Sequence, residues 1–143
     1  MRRLLLGLIL IGTLGLLAEL LLMEHFDTWQ QIVPLAALGL GLAGTLAAAL
    51  RPSAPVVRIF QALMGAFILA GAAGLWLHYR GNEAFEMEIA PALSGAGLIW
   101  KALRGAVPIL APGALLQLGL LGLIWSYDHP ALRARATTNQ ESP

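Results

Sequence analysis

The sequence predicts an all-α protein, a four-helix transmembrane bundle with an extra interfacial amphipathic helix between its third and fourth spans. Three observations lead there. Of the 143 residues 58% are hydrophobic and 12% charged, and the mean hydropathy is +0.75, far from the usage of a water-soluble domain of this size. Four stretches are apolar for long enough to cross a hydrocarbon core of about 30 Å. The arginines gather in alternate connections, the bias that orients membrane helices.

The first span, about 4–23, is interrupted only by Thr13 and Glu19. Met1-Arg2-Arg3 resembles the start of a signal peptide, but the apolar run is too long for one and no small-x-small cleavage site follows, so an uncleaved anchor is expected. The second span, about 32–50, carries Pro34 in its first turn, where a missing N–H costs little, and ends at Arg51-Pro52. A connector with two prolines and two arginines, Arg51 to Arg58, leads into the third span, about 59–77, whose strongly polar side chain is Gln61. The fourth, about 107–127, begins with Pro108 and Pro112, which predicts an irregular first turn. Residues 1–135 thus form a single four-span membrane domain, and 136–143 a disordered polar tail.

Arg2, Arg3, Arg51, Arg58, Arg133 and Arg135 fall on one side of this arrangement, and most acidic residues on the other, which predicts an inner-membrane protein with both termini cytoplasmic. Phe26, Trp29, Trp76, Tyr79 and Trp100 would anchor the outer boundary, and Trp125 and Tyr127 the inner one. The net charge of +1 offers nothing to nucleic acid, and the absence of cysteine excludes disulfides, thiolate metal sites, CxxCH haem attachment and thiol redox chemistry. Small residues at helical spacing mark packing faces: Gly12 and Gly15, then Ala37, Gly41, Gly44 and Ala48, then Ala62, Ala66, Ala70 and Gly74. These strips serve packing within the chain ahead of contacts with a second copy or another membrane protein. The two helical hairpins differ in loop length and polar content, so no inverted repeat is present.

The outer connection, 78–106, is too long for a turn. Phe85-Glu86-Met87-Glu88-Ile89 alternates, which predicts an extended segment with Glu86 and Glu88 on one side. From Pro91 to Val107 the period becomes helical: Leu93, Ala96, Trp100, Leu103 and Val107 share one face, and Ser94, Gly97, Lys101 and Arg104 the other. A helix lying in the headgroup plane is expected, with Trp100 as anchor and Lys101 and Arg104 meeting lipid phosphates. At the same level His25 and His78, with Glu24 and Asp27 and the nearby Glu83, Glu86 and Glu88, form a donor set chemically able to hold a divalent metal. No HExxH or other ligand spacing accompanies them, solvated acidic loops are the commoner reason for such residues, and no cofactor is predicted.

Glu19 is the one ionisable side chain inside a span and therefore a functional candidate, although it lies only about 6 Å from the helix end, where a carboxylate can lean toward the interface. Small multidrug transporters share four spans and a carboxylate in the first helix. The patterned third connection and the outward position of Glu19 depart from that family, and its activity is not carried over. The segment Glu24-His25-Phe26-Asp27-Thr28-Trp29-Gln30 resembles the first connection of uncharacterised small four-span bacterial membrane proteins, which implies the same topology and no particular activity. No nucleophile, base and orienting group can be assembled into an active site. The sequence therefore points to a non-enzymatic accessory or scaffold component acting through its outer connection, with a small transporter or ion-binding protein using Glu19 and the histidine and carboxylate set as the alternative.

Overall fold

In a computed structural model the structure describes residues 1–133. It comprises five helices, α1 (Arg2–Leu22), α2 (Trp29–Leu50), α3 (Ala54–Ile89), α4 (Gly95–Leu103) and α5 (Gly113–Ser126), with no strand among the described residues. Arg135 and the tail 136–143 lie outside them.

Local chemistry explains most boundaries. After α1 the chain turns through Glu24 at φ 52°, while the His25 N–H donates to the Leu20 carbonyl at 2.9 Å and the Glu24 N–H to that of Leu21 at 3.1 Å. This pairs carbonyls that a helix end leaves free, at the cost of a left-handed glutamate. At the start of α2 the Thr28 N–H donates to Gln31 Oε1 at 3.0 Å, so the helix begins at Trp29 and Pro34 stands in its second turn. The connector to α3 shrinks to Arg51–Ser53, because Pro55 fits the first turn of a helix that already starts at Ala54.

Three expectations are corrected beyond this point. α3 does not stop at residue 77 but runs for 36 residues, about 54 Å of helix. The segment Phe85 to Ile89 is its last part and not extended. Five alternating residues cannot separate a strand from a helix, and here Asn82 and Glu86, four apart, are buried on one helical face. The helix ends where Pro91 disfavours helical backbone at Ala90. The surface helix is shorter than 91–107: α4 starts after the extended Ser94, with Gly95 at φ 60°, and stops at Arg104. The fourth apolar stretch does start irregularly, as Pro108 and Pro112 predict, in a run of tight turns that leaves an α-helix of 14 residues, Gly113–Ser126. In these the Gly113, Ala114 and Leu115 N–H groups each donate to the carbonyl three residues back.

α1, α2 and α3 are each long and apolar enough to cross a membrane; α5 is equally apolar but shorter. α3 packs against both α2 and α5, and α1 packs against the same two helices. The α3–α5 seam is antiparallel: Gly71 sits on the backbone of Pro112 and Leu116, Gly119 on Met64 and Ile68, and Gly122 on Met64. The second-helix strip lies as expected, with Gly41 against Phe67 and Gly44 against Leu63. The third-helix strip does so only in its second half: Gly74 meets Pro112 and Ala70 packs on the core, but Ala62 and Ala66 are exposed, and the buried face is Val57, Phe60, Met64, Phe67 and Gly71. Close approach comes instead from α5 glycines receiving large α3 side chains. Around this core many leucines and isoleucines of α1 and α2 face outward, a surface that water would not tolerate.

Candidate functional site

The part of α3 beyond Tyr79 carries α4 as a compact lobe, and one residue holds the two together. Asn82, 2% exposed, donates through Nδ2 to the carbonyls of Ala102 at 3.0 Å and Val107 at 2.8 Å, while its Oδ1 accepts the Val107 N–H at 3.0 Å. The end of α4 and the chain leaving it are thus fastened to α3 by three bonds from one amide. Gly105 completes the fit, because a Cβ there would stand 2.4 Å from Asn82 Cγ. Ala102 is fully buried against α3. Trp100 and Leu103 remain outward, as do Phe85, Met87 and Ile89 of α3. Arg104 lies over the Trp100 ring at 5.6 Å from its centroid, so the apolar and basic sides of α4 meet at that pair. Lys101 and Glu88 are exposed. Glu86 is buried, and its Oε2 has no hydrogen-bond partner among the described residues.

His25 and His78 come within electrostatic range of one another at this end. The His25 imidazole is held below its ordinary value, first by desolvation and then by His78, with Asp27 opposing. His78 Nδ1 lies 3.0 Å from the Pro108 carbonyl, a bond that requires the Nδ1–H form and ties α3 to the turns before α5. Glu24 serves the turn after α1 and is exposed, as is Asp27. Among the described residues no three histidine, aspartate or glutamate side chains gather as a metal-binding group. Glu19 is exposed on the outer side of α1, whereas the buried polar residue of that helix is Thr13.

No protein-family model, curated protein or solved structure matches this chain. Its own geometry is therefore the basis for any functional reading.

The opposite end holds a second cluster, unforeseen from the sequence. The Arg2 guanidinium donates to the carbonyls of Trp125 at 3.3 Å, Tyr127 at 3.2 Å and Asp128 at 2.9 Å. A cation at the start of α1 opposes that helix's own dipole but complements the unpaired carbonyls at the end of α5. Trp125, expected as an interfacial anchor, is buried: its ring meets Phe60 edge-on at 5.0 Å and His129 at 4.8 Å. His129 is itself buried, and its Nδ1 accepts the Ala131 N–H at 3.2 Å. Asp128, at φ 50°, pairs with Arg133. These contacts place the starts of α1 and α3 and the end of α5 together, so Arg2, Arg3, Arg51, Arg58 and Arg133 share one end of the molecule.

Periodicity shows none of Asn82, Arg2 or His129. The available signals were an asparagine in an otherwise apolar and acidic helix, a glycine after α4, and a basic residue at the wrong end of a helix for its dipole.

Proposed function

We propose that this chain is a four-span inner-membrane protein with both termini cytoplasmic, acting as a non-enzymatic scaffold that offers its outer lobe to another membrane protein. In this reading α5, extended by the turns from Pro108, supplies the fourth crossing beside the three long helices. α4 lies at the outer membrane surface with Trp100 and Leu103 toward the acyl boundary. The arginine-rich end faces the cytoplasm, in keeping with the positive-inside bias.

The observation that carries the scaffold reading is the Asn82 fastening. A long connection that merely joined two spans would need no such ordering, since fixing the backbone of each residue costs about 1–2 kcal/mol. Here the ordered lobe keeps Phe85, Met87, Ile89, Ile99, Trp100 and Leu103 exposed, a larger apolar surface than solvation requires and one suited to lateral contact with another helix. Site-specific photo-crosslinking in cells tests it. A photoreactive side chain at Met87 should form a discrete adduct with one membrane protein, and the same probe at Leu40 of α2 should not. Equal or absent adducts at both positions would sink the scaffold reading.

A further inference from the structure

Beside the lobe, α3 bears a shallow groove of about 610 Å³ lined by Ala72, Leu75, Trp76, Tyr79, Arg80 and Glu83. Its polarity changes along the helix axis. Ala72, Leu75 and Trp76 make an apolar floor, and the charged residues follow within about 12 Å. Trp76 and Tyr79 stack at 6.1 Å between centroids with 26° between planes, so the aromatic wall is pre-arranged. Arg80 lies over the Trp76 ring at 5.9 Å and pairs with Glu83, whose other oxygen accepts the Tyr79 hydroxyl at 3.3 Å. Both Glu83 oxygens are therefore engaged, and the side chain is only 16% exposed. The Arg80 side chain, 56% exposed, spends Nη1 on Glu83 and keeps its remaining N–H donors outside the pair.

We infer that this groove holds one membrane phospholipid, with its phosphate on Arg80 and an acyl chain along Ala72, Leu75 and Trp76. The inference rests on the proposed membrane placement, which puts Trp76 to Arg80 at the outer boundary, where headgroups and chain ends meet. A planar guanidinium fixed by a carboxylate and an aromatic face matches a phosphodiester, an acceptor able to take two parallel N–H groups. An apolar floor directly beneath it suits the tail of the same molecule. A soluble anion would use only the upper half of the groove and a neutral apolar helix only the lower. Because Glu83 already accepts from Arg80 and Tyr79, the groove recognises the phosphate and not a headgroup ammonium. Phosphatidylethanolamine and phosphatidylglycerol should therefore bind alike.

Native mass spectrometry of the full chain in mild detergent, mixed with equimolar phosphatidylethanolamine and a monoglucosyl diacylglycerol of the same acyl chains, tests this. The wild-type chain should retain one phospholipid in preference to the glycolipid. Arg80→Gln should lower that occupancy about threefold to tenfold, the range for the net worth of one hydrogen bond at a partly exposed site. Arg51→Gln should leave it unchanged, since Arg51 is an exposed arginine at the opposite end of the molecule, outside the groove. An unaltered helical circular-dichroism signal for both variants shows that they are folded. Equal retention of glycolipid, undiminished retention by Arg80→Gln, or an equal loss in Arg51→Gln would each overturn the site while leaving the membrane reading intact. A chain that stays monodisperse without detergent and carries no lipid would overturn both.

Discussion

Single residues from distant parts of the chain close both ends of this molecule. Arg2 reaches across 123 positions to the Trp125 carbonyl, and the ring of His129 lies against Trp125, so the start of α1 and the end of α5 share a cluster. The groups facing His129 are Arg2 from α1 and, on its own segment, Asp128 with its partner Arg133. Burial lowers the His129 imidazole below its ordinary 6.5, and the Arg2 charge lowers it further. The neutral form is also the one whose Nδ1 can accept from Ala131. A depressed histidine favours the folded state above the unfolded value, and that contribution is lost as pH falls from 6.5 through the lower folded value, where the unfolded chain takes up the proton first. Thermal unfolding in detergent should accordingly show lower stability at acidic than at neutral pH. His129→Gln, which cannot titrate, should show a smaller difference, and in Arg2→Gln the histidine resonance should titrate at a higher pH than in the wild type. A pH dependence unchanged in His129→Gln would assign it to other groups.

At the scale of elements, α3 organises the molecule, because α2, α4 and α5 all pack on it. Its glycines separate two roles. A Cβ on Gly71 would stand 2.7 Å from the Leu116 amide nitrogen and 2.9 Å from the Pro112 carbonyl oxygen, backbone atoms that cannot swing aside, whereas one on Gly65 meets nothing within 4 Å. Gly71→Ala should destabilise the fold by about 1–3 kcal/mol through overpacking. Gly65→Ala should be neutral or stabilising by about 0.5–1 kcal/mol, alanine being the better helix former. Thermal unfolding of the two variants side by side checks the contrast. The lobe depends on Asn82 in a different way. Asn82→Ala leaves the Val107 N–H and two carbonyls without their partner, at a cost of about 1–3 kcal/mol for each buried group left unpaired. Amides of residues 95–107 should exchange faster with deuterium in that variant while those of α2 stay protected. Uniform protection would show that burial of Ala102 alone holds α4 in place.

For the whole molecule, the two end clusters give the proposed topology a direct check. Ser53 lies in the connector at the Arg2 end and Ser94 in the turn before α4, and both are exposed. Single cysteines placed there in this cysteine-free chain should react with an impermeant maleimide from opposite sides of the membrane. Ser94 should label in intact cells, and Ser53 only after permeabilisation. Labelling of both from outside would rule out an odd number of crossings between them, and with it the passage of α3 across the membrane.

Helical content and the three long apolar helices were legible directly from composition and run length, because apolar length is a local property that no distant partner can alter. The arginine-rich connector before α3 and the patterned segment after Leu77 were legible for the same reason. The extent of α3 was not: Phe85 to Ile89 has a pattern compatible with either backbone, and the burial of Asn82 and Glu86 on one helical face decides for the helix. The packing face of α3 was legible only in part: Ala70 and Gly74 of its small-residue strip do pack, but Ala62 and Ala66 do not, because the α5 glycines determine where a neighbour approaches. Arg2, Asn82 and His129 acquire their roles from carbonyls, amides and rings that only the fold brings near. A polar group is satisfied by whatever lies beside it in space, and that neighbour is decided by the tertiary structure.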